Sequence, residues 1–265
     1  KMKMMMKQPI NYPKVATDMY MALSSWTFSF LGVLLVIQVV KGISAYNSGA
    51  ELDTYYNAVF VAAGIYMFVI GILTTYFLTY YVENGVTRKD FYKGALLSSV
   101  GISLLIPIIT LLFSNVVQFI LTRLDLFTFQ TADFNESASL GEAHMIADIV
   151  QSFILSPYVD PTNNWLLSIA IYAVNIFFYY LLGWLIGSSF YRYNTIVGLG
   201  TIFIGLVIIT MKDSLLRASL DLPIPDRIIS TDFIPASLSE VSLVILGFFM
   251  MIIVRYFTKH VSIKM

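Results

Sequence analysis

The chain contains no cysteine, which excludes disulfides, thiolate metal sites and thiol catalysis. It has two histidines, His144 and His260, far apart in sequence, and neither belongs to an H-E-x-x-H pair or joins a carboxylate cluster. No G-x-x-x-x-G-K-[ST] loop is present to cradle nucleotide phosphates, so any ATP-driven work must be powered by another chain. Nucleophile-base pairs of the kind an enzyme needs are missing too, and the chain is read as having no catalytic residues of its own. Charge is scarcest of all. Charged residues make up 12% of the sequence, and six long apolar stretches hold none of them and no histidine.

Those stretches run over roughly 19–40, 58–81, 95–121, 165–187, 195–211 and 241–254. Each is near the ~20 residues that cross a bilayer as a helix. With 58% hydrophobic residues and a mean hydropathy of +0.78, the expected fold is all-α: a polytopic membrane protein of six transmembrane helices. The connections are too short for a separate folded unit, so residues 1–265 form one domain. The first stretch follows a basic, Met-rich start and lacks a small-residue cleavage site, so it is expected to remain as a span.

The net charge of zero hides a separation by sign. With the N-terminus placed in the cytoplasm, the inner segments carry eleven basic residues and three acidic ones, and the outer segments five basic and thirteen acidic. Only Lys and Arg set orientation, and their excess on one side puts both termini in the cytoplasm. Basic residues scattered in threes and fours beside spans are explained by topology, so no nucleic-acid partner is expected. Membrane lipid is the implied surroundings.

Two connections carry further pattern. A short interfacial helix is expected from the mixed polar and apolar residues before the first span. In the long outer loop 122–164, the S-x-x-E box Ser139-Leu140-Gly141-Glu142 and the helical spacing of Ile146, Ile149, Val150, Phe153 and Ile154 predict an amphipathic helix over 139–155. The connection 212–239, with Pro223, Pro225 and Pro235 among apolar residues, reads as broken helices dipping into the outer leaflet.

Ion pumps, secondary transporters and voltage sensors rely on ionisable groups inside the membrane, and the six spans as drawn contain none. Polar groups within or beside them include Asn115, Gln118 and Asn175, and aromatics such as Tyr76, Tyr172 and Tyr179 cluster with them in spans two to four. The plain reading is helix-helix bonding and interfacial placement. The sharper one is that Tyr76, Asn115, Gln118, Tyr172, Asn175 and Tyr179 line a weakly polar path for an amphipathic or hydrophobic cargo. Gly183 and Gly187 form a G-x-x-x-G match for close helix packing, either within the chain or between subunits, and Pro107 is expected to bend the third span.

The inner connection between spans two and three is the most specific segment. Asn84-Gly85 can take positive φ and end the second span sharply, and Thr87 and Asp90 have the T-x-x-D spacing of a helix N-terminus. A short helix over 87–93 follows, in which Phe91 and Tyr92 stand between Arg88, Lys89 and Lys93. Its aromatic centre and charged rim match the composition of partner-binding surfaces; as a plain turn, it would serve only to orient the chain.

The run Gly85-Val86-Thr87-Arg88-Lys89-Asp90-Phe91-Tyr92-Lys93-Gly94, entering a third span, resembles the inner loop of type-2 ATP-binding-cassette exporter permeases of Gram-positive bacteria. The six-span layout is similar along the whole chain, while likeness at residue level is confined to 82–101, and the outer loop after the third span is longer than in the simplest members. The resemblance implies that Thr87, Arg88, Lys89, Asp90, Phe91, Tyr92 and Lys93 form a coupling helix seated in a groove of a separate ATPase subunit. That subunit would hold ATP and magnesium, and this chain would bind no cofactor. It further implies pairing with a second permease, either a copy or a paralogue, in a bacterial cell membrane. Cargo in that family ranges over peptides, toxins, antibiotics, lipids and polysaccharides. The rival expectation is a membrane sensor or assembly partner that uses the outer loop 122–164 as its receptor surface.

Overall fold

The computed structural model describes residues 11–49, 52–123, 129–130, 156–193, 195–222 and 235–259. The amphipathic helix expected over 139–155, both histidines and most of the outer loop lie outside the described residues. Six helices account for nearly all of the rest: α1 (Tyr12–Ser48), α2 (Tyr55–Glu83), α3 (Arg88–Arg123), α4 (Trp165–Arg192), α5 (Thr195–Ser219) and α6 (Ala236–Lys259). All six are long and apolar enough to cross a membrane, and the chain is a multi-pass membrane protein. A two-residue parallel pairing joins β1 (Leu52–Asp53) to β2 (Phe129–Gln130), which ties the α1–α2 connection to the chain beyond α3.

Several helices outrun the apolar stretches that announce them. The short helix expected before the first span is continuous with it, and α1 runs unbroken from Tyr12 to Ser48 with Pro13 in its first turn. Proline there removes only an N–H that the first turn leaves unpaired anyway. At ~1.5 Å per residue its 37 residues extend some way beyond a ~30 Å hydrocarbon layer. The α3 helix continues through Pro107 to Arg123.

The core is built around α4, the most enclosed of the spans, which packs against α2, α3, α5 and α6, while α1 lies mainly on α3. Glycine decides how close α2 and α4 come. A Cβ placed on Gly71 would fall 2.1 Å from the Tyr180 carbonyl oxygen, and one on Gly183 would fall 2.0 Å from that of Phe68. At Gly187 a Cβ would come within 2.9 Å of Thr75 Oγ1. The G-x-x-x-G pair is therefore an internal seam of α4 on α2. Hydroxyl pairs run along the same seam: Thr74 with Tyr180 at 3.1 Å, Thr75 with Ser188 at 3.3 Å and Thr79 with Tyr191 at 3.1 Å. Hydrogen bonds of this sort hold helices together where apolar surface gains nothing by leaving lipid for protein. The outward faces are broadly apolar, as in Val33, Val36 and Val40 of α1 or Phe248, Phe249 and Ile252 of α6, and suit lipid.

Replacing Gly183 with Ala should force the α2–α4 seam apart, since the new atom meets backbone rather than a side chain that can swing away. An overpacking cost of about 1–3 kcal/mol is expected, read as a lower melting temperature of the detergent-solubilised protein. Gly200→Ala, where nothing lies within 4 Å of the added Cβ, is the matched control and should hold or raise the melt, since Ala favours a helix over Gly.

Candidate functional site

Two places concentrate polar chemistry, the turn between α2 and α3 and a charged cluster buried between α4 and α5. The turn is built by local rules. Asn84 closes α2 with its side-chain amide donating to the Tyr80 carbonyl at 2.8 Å, and Gly85 alone takes the positive φ, +82°. Asn84 keeps an ordinary φ of −85°, so the sharp stop expected from the Asn-Gly pair rests on the glycine. The Asp90 N–H donates to Thr87 Oγ1 at 3.1 Å, and the Thr87 hydroxyl donates to Asp90 Oδ2 at 2.9 Å, so α3 begins immediately after Thr87.

The short separate helix expected over 87–93 is instead the opening turns of α3. Phe91 has no exposed surface: it packs between Tyr81 and Trp184, with ring centroids at 5.6 and 6.3 Å. Tyr92 is half-buried, donates its hydroxyl to the Met251 carbonyl at 2.8 Å and lies beneath the Arg255 guanidinium. The two aromatics thus face the bundle rather than a partner. An apolar ring at the start of a membrane helix can be satisfied by its own bundle, and nothing in the local pattern separates that from an exposed plug. Lys89 and Lys93, with Glu83, Asn84 and Gly85 before them, form the exposed side of the turn.

Cross-links tie this turn to three other helices. Arg88 Nη1 donates to the Lys259 carbonyl at 3.2 Å, and Arg255 Nη1 donates to the Arg88 carbonyl at 3.2 Å, both reaching α6. Lys93 Nζ stands 5.2 Å over the Tyr12 ring of α1. The Tyr81 hydroxyl donates to Asp18 Oδ2 at 2.6 Å, joining α2 to α1, and Phe91 and Tyr92 both contact Trp184 of α4. Displacing the turn therefore displaces α1, α4 and α6 together.

The second place overturns the expectation of spans free of ionisable groups. The segment 212–219, read from sequence as the start of an outer connection, continues α5 to Ser219. It ends there on the Leu222 N–H donating to the Arg217 carbonyl at 2.9 Å, with Asp221 at φ +52°, a left-handed helix stop. Lys212, Asp213 and Arg217 are all buried. Lys212 Nζ contacts Asp213 Oδ1 at 2.5 Å, donates to Asn175 Oδ1 of α4 and stands 5.0 Å over the Tyr179 ring. Arg217, one turn further on, lies within electrostatic reach of both. A signal for this extension is present in the sequence. Asp213 and Arg217 have the i, i+4 spacing that supports a helix, and 212–219 contains neither Gly nor Pro.

The six proposed path residues divide accordingly. Tyr172, Asn175 and Tyr179 are buried on the inner face of α4, Asn175 and Tyr179 at the Lys212 ammonium and Tyr172 in an aromatic group with Tyr56 and Phe60. Tyr158, just before α4, completes that group by donating to Asn57 Oδ1 at 2.6 Å. Burial, then the nearby Asp160 carboxylate, pushes its phenol above the ordinary range. Tyr76 and Asn115 face outward, and Gln118 is half-buried, donating to Ser114 within α3. The six do not form one wall. Among the described residues no group of His, Asp and Glu is arranged to hold a metal.

The charge order of the buried cluster gives an asymmetric expectation. Lys212→Met leaves Asp213 and Arg217 to balance each other, whereas Asp213→Asn leaves two buried cations side by side. The second change should cost about 3–5 kcal/mol, the range for stranding a buried charge, and clearly more than the first. Denaturant unfolding of both variants in the same detergent measures the difference.

Comparison with protein families, curated proteins and solved structures finds no match to this chain.

Proposed function

We propose that this chain is the membrane-spanning permease subunit of an ATP-driven exporter in a bacterial cell membrane. It forms the path for an amphipathic or hydrophobic cargo, pairs with a second permease, and draws its work from a separate ATPase subunit that carries ATP and magnesium. The observation that carries this reading is the α2–α3 turn, which offers exposed basic side chains on one side and is fastened to α1, α4 and α6 on the other. Closure of the ATPase on ATP would press on Lys89 and Lys93. Through Phe91–Trp184, Tyr92–Met251 and the Arg88–Arg255 links, the push would shift those helices as a unit, and hydrolysis would reset them. Lipid-facing apolar walls suit a cargo that partitions into the bilayer better than they suit a small ion.

The test uses the exposed rim, because Phe91→Ala would remove a fully buried ring at a cost of about 3–5 kcal/mol and confound folding with coupling. Lys89→Glu combined with Lys93→Glu should abolish co-purification of the ATPase and ATP-dependent export from reconstituted vesicles, while leaving the melting temperature of the isolated permease within a degree or two. Unchanged association together with unchanged export would remove the coupling role. A chain that isolates with no ATPase and loses signalling on deletion of 139–154 would instead be the membrane sensor.

A further inference from the structure

At the end of the bundle that carries the α2–α3 turn, α3, α4 and α6 bring four cations to one corner. Arg88 reaches α6 through its bond to the Lys259 carbonyl, and Arg255 returns one to the Arg88 carbonyl. Arg192, at the end of α4, joins from the side: its guanidinium stands 4.6 Å from the Tyr193 ring centroid and 5.5 Å from that of Tyr256. On α6, Lys259 follows Arg255 by four residues and Tyr256 by three, so it neighbours both on the helix surface. No carboxylate answers these charges. Among the described residues the sole ion pair is Lys212–Asp213 of α5. Asp90 is taken up by the Thr87 hydroxyl, and Asp18 by that of Tyr81.

Backbone dipoles do not cancel the excess. The ends of α4 and α6 each offset about half a charge and the start of α3 adds about half, so most of the four positive charges remains. Lys259 is exposed, and Arg88, Arg192 and Arg255 are half-buried. Arg192 Nη1 is enclosed without an acceptor, so this residue contributes mainly through its charge. Tyr193 and Tyr256 are exposed beside it, the placement that tyrosine takes at the headgroup level of a bilayer. Away from Lys259 the same face of α6 continues through Tyr256, Ile252, Phe249 and Ile245, each three or four residues from the next and each exposed. A cationic corner at the headgroup layer, above an apolar strip that points into the hydrocarbon, matches a molecule with an anionic head and a long chain.

We propose that the corner formed by Arg88, Arg192, Arg255 and Lys259 binds the phosphate of one anionic phospholipid, whose acyl chain lies along Tyr256, Ile252, Phe249 and Ile245 of α6. The bound lipid holds the ends of α3, α4 and α6 to a common headgroup. This goes beyond the exporter reading and does not rest on it. Lys89 and Lys93, which carry the coupling, are not among the four cations, and the test needs no ATPase.

Native mass spectrometry of the full chain in detergent, titrated with dioleoyl phosphatidylglycerol, dioleoyl phosphatidylcholine or glycerol phosphate, separates the sources of the anion. The two lipids share their chains, and glycerol phosphate has the charge without them. Phosphatidylglycerol should bind one per chain and about thirtyfold more tightly than phosphatidylcholine, taking about fivefold for each of Arg192 and Lys259 as basic side chains near a membrane surface. Glycerol phosphate should neither bind measurably nor displace it. Arg192→Gln combined with Lys259→Gln should bring phosphatidylglycerol down to the level of phosphatidylcholine. If that pair fails to fold, Lys259→Glu alone serves, because the exposed side chain is replaced while the backbone carbonyl that Arg88 uses stays in place. Lys14→Gln with Lys93→Gln removes the same charge from the α1 side of this end, where Lys93 stands over Tyr12, and should keep the preference. Equal affinity for the two lipids, or displacement by glycerol phosphate, would overturn the proposal. So would an equal loss in the Lys14 and Lys93 variant, since the preference would then come from net charge and not from this corner.

Discussion

The backbones of α2 and α4 touch, and the remaining helices are placed by that contact. At Gly71 and Gly183 the facing chain occupies the space a methyl group would need. In a medium where apolar side chains gain little by leaving lipid, such an approach is how dispersion and hydroxyl pairing come to hold two helices together. Once α4 is seated there, its other faces receive α3, α5 and α6. Its interior side then carries Asn175, Tyr179 and Trp184 to three different functions in packing: a cation's partner, its aromatic floor, and the anchor of the α2–α3 turn.

The cluster at the end of α5 shows the same dependence. An ammonium inside a membrane protein is tolerated when its charge is met and its protons are accepted. Asp213 supplies the charge and Asn175 an acceptor from another helix. Because Lys212 is paired both with Asp213 on its own helix and with Asn175 of α4, the cluster locks α5 to α4.

Seen together, the two ends of the molecule differ in kind. The end with the α2–α3 turn is cross-linked, with hydrogen bonds and ring contacts joining α1, α2, α3, α4 and α6. At the opposite end α1 and α3 border an apolar cleft lined by Leu35, Val39, Val117 and Leu121.

The sequence by itself determined the fold class and the position of the α2–α3 turn. Long uncharged apolar runs have one stable solution in lipid, and Gly85, Thr87 and Asp90 fix a stop and a start through bonds spanning three residues or fewer. Tertiary structure alone decided the rest. Lys212, Asp213 and Arg217 look like a loop because charge is costly in a membrane, and only Asn175, 37 residues away, reveals how the cost is met. Phe91 and Tyr92 look like a surface because they sit among basic residues, and only Trp184 and Met251 show that they face inward. Local spacing records which backbone bonds can form, but whether a side chain meets lipid, water or another helix is settled by partners far along the chain, which the local pattern does not name.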